Sequence, residues 1–257
     1  MDNEQSEKEY EYLISKIKGI TYSENRFRLN IGKDRYLFGT VTPVGVAETP
    51  ISKMVNYRTL YQTILDLDLK IKFSLYKGIR YAYTKDVQDD FSIFQINSDA
   101  EKLSYYYIEN ALCRISTVWD ILAQLYCLFY KVNIPKDQIH YKTIFKTNPI
   151  YKKKKLDTSK FKNEAKRIRQ YINEEDNTEI DGEWKGNHRY VNKCRNQMIH
   201  RNSIQISVIS DYDLYFKSPP QFMLKRIIED YSKVSEFIGE ILNKMEQELI
   251  NEFNKNT

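Results

Sequence analysis

The sequence predicts a mainly α-helical protein, on three observations. Turn residues are scarce: 257 residues contain 8 Gly and 6 Pro, and sandwiches or barrels need frequent turn residues. Apolar residues recur at three- and four-residue spacing over long segments, the period of a helix buried on one side. Two sites carry helix-start chemistry, Ser98-Asp99-Ala100-Glu101 and Ser218-Pro219-Pro220-Gln221, where a Ser side chain can satisfy a free backbone N–H.

Taken in order, Ser6 to Ile17 carries a weak helical pattern through Tyr10, Leu13, Ile14 and Ile17, ending at Gly19. From Arg26 to Thr42 the pattern alternates instead: Phe27, Leu29, Ile31, a turn at Gly32-Lys33-Asp34, then Tyr36, Phe38, Thr40. That is the period of a β-hairpin. Pro43 to Pro50 reads as loop. Lys53 to about Thr84 returns to helical spacing through Met54, Tyr57, Leu60, Tyr61 and Ile64. Within it, Lys70–Tyr83 is rich enough in β-branched and aromatic residues to suit a strand; helix is the preferred reading.

The clearest helix starts at Ser98 and stays apolar through Leu112, Ile115, Trp119, Leu122, Tyr126 and Phe129. It is apolar on more than one side, so it suits a central helix, or one shared between the core and a dimer interface. A basic segment follows, loop-like to Leu156. Asp157 or Thr158 then caps a helix to about Asn173. Another helix is expected from Gly182 or Glu183 to Ser203, and a last one from Ser218 to about Phe253. The expected organisation is an N-terminal extension, residues 1–97, and a helical bundle, residues 98–257.

Composition narrows function. The N-terminus is acidic and polar, unlike a signal peptide. The longest apolar run, near Ile121 to Tyr130, is too short to span a bilayer and is bracketed by Asp120 and Lys131. The expectation is a cytoplasmic protein with no membrane partner. Cys113, Cys127 and Cys194 are odd in number and form no CxxC pair, so they read as reduced, buried thiols rather than metal ligands or disulfides. Net charge is +5, but 11 basic and two acidic residues fall between Lys142 and Arg169. The next stretch, Glu174 to Glu183, is acidic. Concentrated positive charge attracts phosphates, although a solvated lysine loop is the commoner outcome.

One constellation carries chemistry. Of three histidines, His200 has suggestive company: Asn196 four residues before it and Arg195 five before. On a helix Asn196 and His200 share a face. Arg195 lies about 140° round but has a long side chain. A guanidinium, an amide and an imidazole can therefore converge on one anion. Phosphodiester cleavage uses this set. Imidazole titrates near neutrality and moves protons, and guanidinium holds phosphate oxygens in a planar fork. No metal or other cofactor is needed if the 2′-hydroxyl of RNA is the nucleophile.

Arg195-Asn196-Gln197-Met198-Ile199-His200 resembles the Arg, four to six residues, His motif of the HEPN superfamily, in which Asn often follows the Arg. The position of the motif before one long final helix is also similar to the HEPN layout. The resemblance covers roughly Ser98 to Phe253. It implies a HEPN-like helical bundle that dimerises and forms a composite ribonuclease site from two motifs. It further implies a metal-independent endoribonuclease acting on single-stranded RNA and leaving 2′,3′-cyclic phosphate and 5′-hydroxyl ends. Such proteins serve in toxin–antitoxin pairs, phage defence and RNA processing, so an antitoxin or other regulatory protein is an expected partner. Arg195 would hold the phosphate, Asn196 would position substrate or His200, and His200 would transfer the proton.

Secondary candidates have two readings each. Glu109 and Asp120 on the long helix would orient His200 or Arg195, or else fix helix packing. His188 shares a stripe with Asn192 and Arg195; it would touch substrate or serve structure. Lys152, Lys153, Lys154 and Lys155 would guide an RNA backbone or form a solvated loop. The alternative functions are a non-catalytic HEPN-like nucleotide- or RNA-binding module and a helical interaction scaffold.

Overall fold

The computed structural model describes residues 3–28, 49–96, 98–145, 163–177, 184–200, 202–210 and 213–255. In chain order these form α1 (Asn3–Gly19), α2 (Pro50–Ala82), α3 (Lys85–Asp89), α4 (Asp99–Phe129), a short 3-10 turn (Lys136–Gln138), α5 (Tyr141–Phe145), α6 (Asn163–Ile172) and α7 (Asn187–His200). Two short strands, β1 (Val208–Ser210) and β2 (Asp213–Tyr215), precede α8 (Pro220–Lys255). The protein is mainly helical, with one small antiparallel sheet whose register pairs Ile209 with Leu214.

The long helices start where local chemistry directs. Thr49 caps α2 by accepting from the Ser52 N–H at 3.2 Å, with Pro50 in the first turn. Ser98 caps α4 by accepting from the Glu101 N–H at 3.1 Å. Each cap satisfies a donor that the helix itself leaves free. Lys70–Tyr83 is helical up to Ala82, so its strand-like composition is overridden by packing.

α4 is the centre. α2 and α8 both pack against it and against each other. Gly78 faces two neighbours: a Cβ there would press on Leu224 Cδ2 of α8 at 3.2 Å and make an ordinary contact with Tyr107 Cβ of α4 at 3.7 Å. Ser104 Oγ donates to the Gly78 carbonyl at 3.1 Å across this contact. Trp119, Tyr105, Tyr126 and Tyr231 are among the largest fully buried side chains. Burying one such ring contributes about 4–6 kcal/mol at about 25 cal/mol per Å². α1 closes one side of α8, and Leu13 and Ile17 join the same core.

Several expectations are corrected. Within the expected hairpin at 26–42, residues 26–28 form the end of a turn and not a strand; the rest of it, from residue 29, lies outside the described residues. Phe27 adopts a left-handed backbone (φ 54°) and packs edge-on against Tyr57 and Tyr61. The expected cap at Asp157 or Thr158 also lies outside the described residues. α7 begins at Asn187 rather than near Gly182. Gly186 stands just before it with φ +69°, and a Cβ there would meet the Asp176 backbone at 2.4 Å. The chain must turn against that backbone before the helix can start. α3, α5 and the β1–β2 pair are too short to leave a periodic signature.

α4 is long and apolar enough to cross a membrane, by length and composition. The expectation drawn from the apolar run near Ile121 to Tyr130 alone missed this. More than half of that stretch, 56%, is buried inside the protein. Cys113 is exposed, contrary to expectation, whereas Cys127 and Cys194 are buried and all three thiols are free. Burial pushes the Cys127 thiol up to about 12 and the Cys194 thiol up to about 11.

Candidate functional site

α7 carries the motif, and its inner face explains its placement. His188, Val191, Cys194 and Gln197 are buried against the bundle. At 100° per residue this puts Arg195 at the margin of the buried face and turns Asn196 and His200 to the opposite side. Arg195 and Asn196 are half-buried and His200 is exposed. The helix stops just beyond His200, where the Asn202 N–H donates to the Gln197 carbonyl at 3.1 Å. This six-residue closure is a Schellman-type end.

Arg195 is electrostatically unanswered. Among the described residues it has no carboxylate or hydrogen-bond partner, and its Nε is a buried atom without an acceptor. An anion reaching the guanidinium would meet no competing carboxylate among the described residues. Asn196 and His200 likewise make no hydrogen bond among the described residues. The arrangement presents a planar cation, an amide and an imidazole along roughly 7.5 Å of one helix.

One turn earlier, α7 meets α5. The Asn192 side-chain oxygen accepts from Lys142 Nζ at 2.8 Å and from the Tyr141 hydroxyl at 3.4 Å. Behind them His188 is buried, with Nδ1 3.2 Å from Asp230 Oδ1 and Nε2 3.2 Å from the Tyr141 hydroxyl. Asp230 also accepts from Trp119 Nε1 at 3.0 Å and from the Tyr171 hydroxyl at 3.2 Å. An ionised Asp230 only accepts, so His188 Nδ1 carries the hydrogen. Nε2 then accepts the Tyr141 proton or, in the imidazolium, donates to Tyr141 and leaves that hydroxyl to Asn192. The Tyr141 hydroxyl is held well above its ordinary value, chiefly by burial, then by Asp230 and Asp120; Arg195 opposes this.

The structure does not bring every expected residue together. Glu109 accepts from Ser203 Oγ at 2.9 Å, three residues past His200. Asp120 accepts from the Tyr141 backbone N–H at 3.0 Å and lies 3.9 Å from His140 Nδ1. Among the described residues neither is hydrogen-bonded or ion-paired to Arg195 or His200; they tie α4 to the segments on either side of the motif. His188 faces the core, 12 residues and about 18 Å along α7 from His200. Lys152 to Lys155 lie outside the described residues. Sequence reasoning missed the Asp230 cluster. Its trace was a lone acid amid the buried stripe Ile227, Ile228, Tyr231 and Val234 of α8.

Among the described residues no group of three or more His, Cys, Asp or Glu is placed to hold a metal ion. Compared with protein-family models, curated proteins and solved structures, the chain matches none.

Proposed function

We propose that this protein is a metal-independent, cytoplasmic endoribonuclease of HEPN type that works as a homodimer on single-stranded RNA. The observation that carries the reading is the Arg195 guanidinium. It is half-buried, has no carboxylate partner among the described residues, and shares the exposed end of α7 with Asn196 and His200. A phosphate is the anion that fits a planar fork next to an imidazole.

Cleavage needs two proton transfers. One imidazole takes the proton from the 2′-hydroxyl as its oxygen attacks phosphorus. A second gives a proton to the departing 5′-oxygen. The products are a 2′,3′-cyclic phosphate and a 5′-hydroxyl, and Arg195 stabilises the charge that builds between them. A single chain supplies one imidazole to this end of α7. His188 lies about 18 Å along the helix axis, and His140 stands beside Asp120 at that same far end. A second copy related by two-fold symmetry supplies the other His200. A restraining partner such as an antitoxin belongs to this reading.

The test is cleavage of 5′-labelled single-stranded RNA in EDTA. Wild type yields cyclic-phosphate ends, His200→Ala loses at least about 100-fold in rate, and Arg195→Lys loses activity because an ammonium lacks the bidentate fork. Equal rates in wild type and His200→Ala would overturn the reading.

A further inference from the structure

We propose that a ring array on α2 and α4 binds the bases of single-stranded RNA beside the α7 motif. This rests on the RNA reading and assigns that site its substrate-binding surface. Where α2 and α4 pack, Tyr107 is the hub of an array of four rings. Tyr81 stacks on it at 5.9 Å and 4°, Phe73 meets it edge-on at 6.2 Å, and Tyr106 does so at 5.2 Å. Phe73 and Tyr106, the outer rings, are 56% and 58% exposed. They overlook a groove of about 790 Å³ between the helices. On the same helix Tyr105, Ile108 and Leu112 are completely buried.

Charge selects the occupant. Lys77 lies 5.8 Å above the Phe73 ring, Arg80 is exposed one turn on, and Arg114 lines the groove while donating to Asn110. Among the described residues these three cations have no carboxylate partner. Glu24 and Asp68 also line this groove, where Lys72 pairs with Asp68 at 2.8 Å and Lys70 with Asp66 at 2.6 Å, so Lys77, Arg80 and Arg114 are the cations left over. A further groove, about 900 Å³ between α1 and α8, leaves fewer. There Lys16 pairs with Glu229 at 3.2 Å, Lys225 with Glu9 at 3.6 Å and Lys233 with Glu236 at 2.8 Å, so its charges cancel internally. Exposed ring faces framed by unanswered cations match a strand that offers unstacked bases and phosphates together. A duplex hides its base faces and does not fit.

Position connects the array to the motif. On α4, Glu109 faces the segment after α7, whereas Tyr107 and Arg114 are turned about 140–160° away toward α2. Between them runs an open ridge of Tyr106, Asn110, Cys113 and Thr117. One strand crossing that ridge, the width of a single helix, reaches Arg195 from the rings.

The test uses the His200→Ala chain, which removes cleavage, and a fluorescent unstructured RNA on the order of a dozen nucleotides. Phe73→Ala with Tyr106→Ala is expected to weaken binding about 10-fold or more. Lys77→Ala and Arg114→Ala should each lower the slope of log affinity on log salt by about 0.7. A duplex should bind more weakly and ignore the ring changes. Unchanged RNA affinity in folded ring variants overturns the inference and leaves the cleavage reading standing. So does a change of oligomeric state with RNA affinity intact, which would make the array a protein interface. Failure of the His200→Ala chain to bind RNA also overturns it. If wild type never cleaves RNA yet binding falls with the rings, the array stands and the ribonuclease reading fails.

Discussion

His188 and Asp230 meet in the middle of the bundle, Nδ1 to Oδ1 3.2 Å apart, with side chains 5% and 0% exposed. The pair joins α7 to α8, and through Trp119, Tyr171 and Tyr141 it joins α4, α6 and α5 as well. Asp230→Asn keeps the shape but turns amide hydrogens toward Trp119 Nε1–H, Tyr171 O–H or His188 Nδ1–H. We expect a loss of about 2–4 kcal/mol, read as a lower urea midpoint with an unchanged slope. A midpoint within error of wild type would contradict the network's role.

Gly78 sits where α2 meets Leu224 of α8. Gly78→Ala brings two opposing effects: helix propensity improves by about 1 kcal/mol, and the new Cβ presses on Leu224 Cδ2, the far end of a flexible side chain. The expected stability is near wild type. Gly78→Leu cannot be absorbed and should cost about 1–3 kcal/mol. Equal thermal midpoints for the two variants would refute this account of the helix contact.

Thiol chemistry should separate the cysteines. Cys113 is exposed, while burial pushes Cys127 and Cys194 up to about 12 and about 11. The thiolate is the nucleophile. At pH 8 a disulfide reagent should therefore titrate one thiol per native chain quickly and the other two only in denaturant. Two fast thiols in the native chain would be the contrary result.

Alkali should unfold the protein cooperatively. Burial is the first cause of the upward shift at Tyr22, Tyr83, Tyr105, Tyr141, Tyr171 and Tyr231, from an ordinary value of 10.0. A tyrosine whose folded value is raised holds its proton more tightly when folded. Its stabilisation is intact below pH 10 and is lost as pH rises above it. Tyrosinate absorbance at these positions should appear together with loss of helical circular dichroism. Smooth titration of all 21 tyrosines near pH 10 with helicity retained would exclude this.

Legibility followed the range of the signal. Ser98 and Ser218-Pro219-Pro220 mark helix starts because capping and proline geometry are local, and a 3.6-residue period repeated over 30 residues is hard to produce otherwise. Strands of three residues, such as Val208–Ser210 and Asp213–Tyr215, have no room for a period. Gly186 shows the same limit. Its left-handed turn answers to the Asp176 backbone, ten residues earlier, which no local pattern reveals.

By itself the sequence determined the helical class, the long helices and the placing of Arg195, Asn196 and His200 within one helical segment. Those follow from periodicity, capping and spacing, which need only neighbouring residues. The tertiary structure alone decided which groups answer one another. It gave Glu109 to Ser203 and Asp120 to the Tyr141 N–H. It enclosed His188 between Asp230 and Tyr141, and left Arg195 without a carboxylate among the described residues. Burial, charge pairing and ring stacking arise between segments far apart in the chain, so only packing could settle them.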